Sequence, residues 1–217
     1  DDQDLADYKK IIKIIKKNLK VKIFFNKKNL GAGLSRNIGI KHSKGSFISF
    51  IDADDLWNKN KLLKQLNFIK KNNYKFVSCN YKKELVNNSM KIIPSKKISY
   101  DMLLKNCQIG LSTVMLKKDV IIKDLFPNFK TQEDFSAWLK IMRVKKISCY
   151  NLDDTLVTWR YDKNSLSSNL FQKLKDAYCV FKFKEKFSFI MSIKYVLNLS
   201  INSIKRKNRF FNAKRIK

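Results

Sequence analysis

Apolar residues recur along the first half of the chain in two periods, which predict alternating helices and strands. Spacings of three and four residues, typical of one helix face, are found in residues 8–15, 34–42 and 56–71. Short β-branched and aromatic runs predict strands at 21–25, 47–51 and 76–79, and the polar stretch 26–33 predicts a loop. The run 47–51 is almost wholly apolar, which is typical of a strand buried on both faces of a parallel sheet.

The second half of the chain continues this alternation and then becomes helical. An apolar stripe at helical spacing is formed by Phe135, Trp138, Leu139 and Met142. The pattern also predicts a helix at 100–106, short strands at 112–116, 147–150 and 156–161, and helices from residue 168 onward. Strands that alternate with helices indicate an α/β domain with right-handed crossovers. We therefore expect an α/β fold: a mixed, mainly parallel sheet flanked by helices, with a C-terminal helical extension.

The charge of the chain adds a prediction about its partners. The 217 residues include 47 Lys and Arg against 18 Asp and Glu, a formal net charge of +29. Lysines occur in almost every segment, so a solvated basic surface is the main interpretation, and anionic lipid, nucleic acid and phosphorylated substrates are the acidic partners it would attract. The four cysteines show no CxxC spacing and there is one histidine, which argues against a zinc site and favours reduced thiols.

Three carboxylates directly follow the apolar run 47–51. Asp52, Asp54 and Asp55 stand where the predicted strand ends, and ligands of open α/β sheets bind beyond the carboxyl ends of the strands. Carboxylate oxygens suit hard divalent cations such as Mg²⁺ or Mn²⁺, which keep positions open for phosphate oxygens. The sequence therefore predicts a metal site here. The simpler interpretation is a polar loop in which Asp55 or Asn58 caps the next helix.

Several motifs in a fixed order resemble those of glycosyltransferase family 2. Residues 29–40 (NLGAGLSRNIGI) are similar to the family's N-x-G-x-x-x-x-R-N-x-G-I signature, and residues 52–57 (DADDLW) follow at the family's spacing. Residues 133–139 (EDFSAWL) are similar to its E-D-x-x-x-W-L block, and 159–169 resembles a stretch of bacterial polysaccharide members. The resemblance is to enzymes that build O-antigen of lipopolysaccharide, capsule or teichuronic-acid-like polymers.

This resemblance implies the GT-A fold, a Rossmann-like nucleotide-binding architecture, and an inverting glycosyltransferase that uses a nucleotide-diphosphate sugar, commonly a UDP-sugar. It implies that Asp52 and Asp54 hold Mn²⁺ or Mg²⁺ against the diphosphate. It also implies that Asp134 is the catalytic base, which takes the proton from the acceptor hydroxyl as that oxygen attacks the anomeric carbon. The alternative interpretation of Asp134 is an acid that complements a helix dipole.

Further binding residues come from the same resemblance. Asp1 and Asp2 stand at the position of a pair that contacts the nucleotide, although Gln3 and Asp4 replace the Gly-Ser that usually follows it. Arg36 is expected to help bind the nucleotide, with an anchor for the start of its helix as the alternative. Arg160 is expected to meet the diphosphate or an acceptor phosphate, with a surface salt bridge as the alternative.

The ends of the chain carry separate expectations. We expect residues 1–165 to form the glycosyltransferase domain without its first strand, and 166–217 a basic helical extension, so the chain is expected to be a piece of a longer protein. Residues 187–204 predict a helix that either lies on an anionic membrane surface or covers the core. The expected partners are a nucleotide-sugar donor, a glycan or lipid-linked acceptor and an anionic membrane. The expected location is the cytoplasm, peripheral at the inner face of the cell membrane.

Two functions of other classes stay open beside this one. A basic nucleic-acid-binding protein would account for the charge, but the chain has no recognised binding motif, so nucleic acid is not an expected partner. A DxD-type phosphatase, with the first Asp as nucleophile, would account for the acidic cluster but not for Arg36-Asn37 or for Glu133-Asp134.

Overall fold

A mixed sheet, to which the described residues contribute seven strands, forms the centre of the protein. The computed structural model describes residues 21–85, 88–160 and 169–215. The strands are β1 (Phe47–Ile48), β2 (Leu56–Trp57), β3 (Phe76–Leu85), β4 (Asn88–Ile92), β5 (Lys97–Ile98), β6 (Met115–Lys117) and β7 (Cys149–Arg160). Their order is β1-β6-β3-β7-β2, with β4 beside β3 and β5 beside β7.

Helices cover the sheet and continue beyond its last strand. The α-helices are α1 (Gly31–His42), α2 (Lys61–Asn72), α3 (Tyr100–Lys105), α4 (Glu133–Lys145), α5 (Leu170–Cys179) and α6 (Phe189–Arg215). A π-helical turn at Val180–Lys184 follows α5, and 3₁₀ turns lie at Leu111–Thr113 and Lys118–Val120. Within the described residues, no helix is both long enough and apolar enough to cross a membrane.

The α/β class is confirmed, but the sheet is less parallel than expected. Among the described residues β3 and β7 form the parallel pair, and the five other pairings are antiparallel. The strand predicted at 47–51 is reduced to Phe47–Ile48, an edge strand that runs antiparallel to β6. Phe50 lies beyond the end of this strand, and its ring packs on those of Phe126 and Trp138.

Other predicted boundaries in the first half shift as well. Helix α1 begins at Gly31, inside the predicted loop, and the predicted helix 56–71 divides into β2 and α2. The strand predicted at 21–25 is not formed: these residues pair with no strand among the described residues. Phe24 instead stacks on His42, with ring centroids 4.1 Å apart.

The second half follows the predicted pattern more closely. The helix predicted at 100–106 is α3, and the apolar stripe of 135–142 is the buried face of α4. The predicted strand 112–116 is a 3₁₀ turn followed by β6, and the two strands predicted at 147–150 and 156–161 are one continuous β7. The four cysteines are free, as expected.

One large apolar core joins the sheet to the helices after it. Trp138 is fully buried at its centre and contacts the rings of Phe76 and Phe126. Val180 and Phe181, from the π-helical turn, belong to the same cluster. The helices predicted from 168 onward therefore pack on the core. The proposed domain boundary falls among residues 161–168 and the predicted helix at 8–15 in the first twenty, both outside the described residues, so both stay predictions.

Candidate active site

A pocket of about 540 Å³ opens beside the 3₁₀ turn at Leu111–Thr113. It brings together the described residues to which the sequence assigned a role: Arg36, Asp52, Asp54, Asp134 and Arg160. They come from α1, the loop after β1, the first turn of α4 and the end of β7. Asp1 and Asp2 lie outside the described residues, so their predicted role stays a prediction.

The motif in residues 29–40 builds the wall of the pocket that carries Arg36. The Asn29 side chain accepts a hydrogen bond from the backbone of Gly31, whose φ of +76° favours glycine. A Cβ on Gly33 would lie 2.5 Å from the carbonyl oxygen of Pro127, so only glycine lets α1 approach this loop. The Asn37 side chain exchanges two hydrogen bonds with the Phe126 backbone, at 2.8 and 3.0 Å. These contacts fix α1 against the loop before α4.

Arg36 links the two acidic motifs. Its guanidinium donates to Asp52 at 2.7 Å and to Glu133 at 2.6 Å, and it lies 5.6 Å from the centroid of the Phe126 ring. Burial alone would lower the pKa of Arg36, but the two carboxylates outweigh burial and raise it. Arg36 therefore holds the loop after β1 and the start of α4 at a fixed separation, a structural role that extends beyond the anchor of its own helix considered from the sequence.

The acidic loop after β1 is anchored on the 3₁₀ turn. The Asp52 backbone donates to the Ser112 hydroxyl at 3.1 Å, and the Trp57 indole donates to the Ser112 carbonyl at 2.8 Å. Asp54 is exposed at the pocket, whereas Asp55 is buried. Burial raises the pKa of Asp55 to about 6, against the opposing effect of the Ser112 hydroxyl.

The structure does not support the helix-cap interpretation of the acidic loop. The N-cap position of α2 is Asn60, whose side chain makes no capping hydrogen bond, so neither Asp55 nor Asn58 is the cap; Asn58 Oδ1 accepts from the Asn60 backbone at 2.9 Å, just before the helix. Asp55 Oδ1 is buried and has no hydrogen-bond partner among the described residues. Within the described residues no group of three or more His, Cys, Asp or Glu side chains could hold a metal ion alone. Mg²⁺ in phosphate sites commonly uses one or two carboxylates together with phosphate oxygens.

Asp134 faces the same pocket from the first turn of α4. Its Oδ1 accepts from the Phe135 backbone at 2.6 Å, and the residues behind it, Phe135 and Trp138, are fully buried in the core. Burial, assisted by the charge of Glu133, raises the pKa of Asp134 to about 7, while Arg36 opposes this shift. The arrangement can hold a carboxylate that accepts a proton near neutral pH.

Buried polar residues of α2, not identified from the sequence, support the back of the pocket. Gln65 donates to the Thr113 carbonyl at 2.8 Å, and Lys61 Nζ lies 3.4 Å from the Val114 carbonyl oxygen. Lys61 Nζ is also 4.0 Å from the centroid of the Trp57 ring, and burial lowers the pKa of Lys61 to about 8. The sequence contains one indication of this supporting role: Lys61 and Gln65 are polar residues one turn apart in an amphipathic helix.

A second contact missed from the sequence connects α5 to the loop that precedes α4. Asp176 Oδ2 accepts from the backbone and the hydroxyl of Thr131, at 2.8 and 2.9 Å, and Oδ1 accepts from Gln172. Gln132 has a φ of 62°, so the chain turns sharply between this contact and Asp134. Asp176 thus fixes the entry to α4.

We expect Asp176→Ala to lower the free energy of unfolding by about 1–3 kcal/mol, because two buried donors of Thr131 lose their acceptor. Urea denaturation measures this change. The matched control is Asp119→Ala, which removes an exposed acid paired with Lys75 and should cost about 0.5 kcal/mol or less. Equal losses in the two variants would contradict the anchoring role of Asp176.

The chain is similar in sequence to known glycosyltransferases. A family model described as Glycosyl transferase family 2 matches residues 1–122. The chain is 35% identical over 209 residues to the UDP-Glc:alpha-D-GlcNAc-diphosphoundecaprenol beta-1,3-glucosyltransferase WfgD of Escherichia coli, covering 94% of this chain and 81% of that protein. It is 28% identical to the putative teichuronic acid biosynthesis glycosyltransferase TuaG of Bacillus subtilis (strain 168), covering 87% of this chain and 75% of that protein.

The fold has a counterpart among solved structures. TarS of S. aureus (residues 1–349, in complex with UDP-GlcNAc) superposes with a TM-score of 0.64 at 20% identity, over 84% of this chain. The match spans 54% of the length of that TarS chain. At this identity the similarity supports the architecture, while the chemistry rests on the pocket.

Proposed function

Because the chain belongs to glycosyltransferase family 2 and has the GT-A fold of its structural neighbours, we propose that it transfers a sugar, with inversion, from a nucleotide-diphosphate sugar to a cell-surface glycan. The pocket is the observation that supports this most. An exposed DxD aspartate, Asp54, and a carboxylate whose pKa is raised toward neutrality, Asp134, both line it. Donor and acceptor can therefore meet between a site for a diphosphate and a site for a proton.

The donor is proposed to bind at the acidic loop as a UDP-sugar. Asp54 and Asp52 would hold Mn²⁺ or Mg²⁺, and the cation would neutralise charge on the leaving diphosphate without proton transfer. Asp52 also holds Arg36, so it would orient the nucleotide side of the pocket while Asp54 contacts the cation directly. Arg160 lines the pocket and is proposed to meet a phosphate of the donor or the acceptor. Asp1 and Asp2 are proposed to contact the nucleotide. The presence of UDP in the name of WfgD, 35% identical to this chain, supports the choice of nucleotide.

Asp134 is proposed to accept the proton of the attacking hydroxyl. In a single displacement the acceptor oxygen bonds to the anomeric carbon, the bond from that carbon to the diphosphate breaks, and the proton moves to Asp134. The nucleoside diphosphate leaves with the electron pair of the broken bond. Arg36 neutralises Glu133, which limits the repulsion that the ionised Asp134 meets from its neighbour.

The acceptor is proposed to be a growing or lipid-linked glycan at the inner face of the cell membrane. The name of WfgD includes a diphosphoundecaprenol-linked sugar, and the name of TuaG includes teichuronic acid biosynthesis. Relatives of this chain are therefore named for a lipid-linked acceptor and for a cell-surface polymer. Lipopolysaccharide and capsule belong to the same class of polymer. We propose that residues 1–165 carry the chemistry and that 166–217 form a helical extension. The nucleic-acid-binding and phosphatase alternatives have no support in these similarities.

The test is a transfer assay with purified protein, a GlcNAc-diphosphate acceptor on a short lipid chain, and separate UDP- and GDP-sugars. We expect a product one sugar heavier by mass spectrometry with a UDP-sugar, lost on adding EDTA and restored by Mn²⁺ or Mg²⁺. The anomeric configuration of the new glycosidic bond, compared with that of the sugar in the donor, reports inversion. Hydrolysis of phosphate monoesters through an aspartyl-phosphate, without sugar transfer, would support the phosphatase instead.

A further inference from the structure

Helix α6 is apolar on two opposite sides. On its inner side Tyr195, Val196 and Leu199 pack against the main core. On its outer side four exposed residues recur at spacings of three and four: Ile190, Ile193, Leu197 and Ile201. Their exposed fractions are 78%, 41%, 55% and 48%. A surface helix normally has polar residues on its outer side, so this stripe needs an explanation outside the core.

Helix α5 extends the same apolar surface. Phe171 and Leu174 are 78% and 37% exposed. Their spacing of three and four residues places them on the same side of α5 as Tyr178. The Tyr178 ring contacts the ring of Phe189 at 6.2 Å, next to Ile190 on α6. We name the six residues Phe171, Leu174, Ile190, Ile193, Leu197 and Ile201 the outer face. The contact through Tyr178 and Phe189 makes the outer face continuous across the two helices.

The charges around the outer face are positive. Residues 169–205 contain seven lysines and two acids, Asp176 and Glu185. Asp176 is turned inward to Thr131, and Glu185 is buried, where it accepts from Tyr100 at 2.6 Å and from Arg143 at 2.9 Å. In this described segment both acidic side chains are therefore buried, whereas Lys175, Lys186 and Lys194 are exposed. The surface that surrounds the apolar stripe is cationic.

We infer that the outer face docks the protein on an anionic lipid surface. An apolar stripe flanked by lysines lets isoleucine and leucine side chains enter the headgroup boundary while the ammonium groups meet lipid phosphates. A second copy of the chain is a poorer occupant, because a two-fold contact would bring the same lysines of both copies together. Charge complementarity therefore favours the bilayer.

Docking in this way would place the active-site pocket at the bilayer surface. Helix α5 carries the outer-face residues Phe171 and Leu174 on one side and, on another side, Lys173, which lines the pocket, so the pocket and the outer face are separated by the width of this helix. The same helix holds the entry to α4 through Asp176. This consequence rests on the proposed function, in which the acceptor is lipid-linked: its diphosphate would enter the pocket beside α5 while its lipid chain stays in the membrane.

Vesicle sedimentation tests the inference. The protein should bind vesicles of phosphatidylglycerol and phosphatidylethanolamine, and bind pure phosphatidylcholine vesicles on the order of tenfold more weakly. The triple variant Ile190→Gln, Ile193→Gln, Leu197→Gln should lose about tenfold or more of its partitioning, because the apolar contact is removed. Lys186→Gln with Lys194→Gln should weaken binding and reduce its dependence on salt.

The matched control is Leu63→Gln, Ile93→Gln, Val144→Gln, three substitutions of residues that are 60%, 61% and 51% exposed and lie outside the outer face. It should bind the anionic vesicles as the unmodified protein does. Equal loss in the two triple variants would overturn the inference. A dimer that the outer-face variant converts to a monomer in analytical ultracentrifugation would overturn it in favour of a second copy.

UDP binding measured without vesicles separates this inference from the proposed function. Intact UDP binding with no binding to anionic vesicles overturns the docking surface and leaves the transferase. Vesicle binding that depends on the outer face supports docking even where UDP does not bind, and in that case the proposed function fails.

Discussion

Asp134→Asn is expected to lower the rate of sugar transfer by about two to four orders of magnitude, the usual contribution of a positioned general base. Asparagine has nearly the same shape and can still accept from the Phe135 backbone, but it cannot take up the proton of the acceptor hydroxyl. The loss should therefore be in kcat, with UDP binding unchanged in calorimetry. A variant that loses donor binding as well would contradict a role confined to proton transfer.

The stability of this variant distinguishes the base from a residue that only complements the helix dipole. Burial raises the pKa of Asp134 to about 7, above its value in the unfolded chain. The free energy of unfolding therefore falls as the pH rises from the unfolded-chain pKa to about 7, because the folded protein disfavours the ionised carboxylate. The neutral asparagine avoids this cost, and Asp134→Asn should be at least as stable as the unmodified protein at about pH 8. A dipole role predicts the opposite, a loss of about 0.3–1 kcal/mol.

The pH dependence of the rate provides a further check. The base acts as the carboxylate, so kcat should rise with pH through about 7 and level off above it, and Asp134→Asn should remove this rise. The matched control is Asp101→Asn, which changes an exposed acid in the first turn of α3, outside the pocket. Its rate and pH profile should match those of the unmodified protein.

The sequence could predict which residues meet in the pocket because the motif residues contact one another. Gly33 and Asn37 have steric or hydrogen-bonding partners near Pro127, and Arg36 bonds to both acidic motifs. These contacts require each residue at a fixed position in the chain. The order and spacing of the motifs therefore reflect the geometry of the pocket. The role of each residue in binding or catalysis stays a prediction until it is measured.

Strand pairing was less predictable because hydrophobic periodicity reports burial and not hydrogen bonding. In the apolar run 47–51 only Phe47 and Ile48 pair with β6, whereas Phe50 packs beside Trp138 and Ile51 is 49% exposed. Leu56 and Trp57 fit a helical pattern with α2, yet they pair with β7. The partner strand lies about a hundred residues further along the chain, and periodicity within one segment holds no information about it.

Contacts that support the pocket from elements distant in sequence were equally difficult to predict. The bond from Thr131 to Asp176 joins residues separated by 45 positions, and that from Gln65 to Thr113 by 48. Aspartate and glutamine are common on solvated helix faces, so their residue type alone indicates exposure. Only the packing of α5 and α2 against the pocket makes them internal partners.

Asp54→Asn is expected to weaken the metal-dependent part of UDP binding by about tenfold or more, since a neutral amide is a poor ligand for a hard divalent cation. Asp54 is the clearer position to change. Its exposed side chain makes no hydrogen bond or ion pair among the described residues, whereas Asp52 is bonded to Arg36. A change at Asp52 would therefore alter both the cation site and the position of Arg36.

Calorimetric titration of UDP, with and without Mn²⁺, measures this effect. In the absence of metal the variant and the unmodified protein should bind UDP equally weakly, because Asp54 would act through the cation alone. The matched control is Asp119→Asn, an exposed acid outside the pocket that is paired with Lys75, and it should keep the full metal dependence. GDP and single-stranded DNA serve as competing ligands. Tight DNA binding without metal-dependent nucleotide binding would contradict the transferase site, because the net charge of +29 would then be the property that selects the partner.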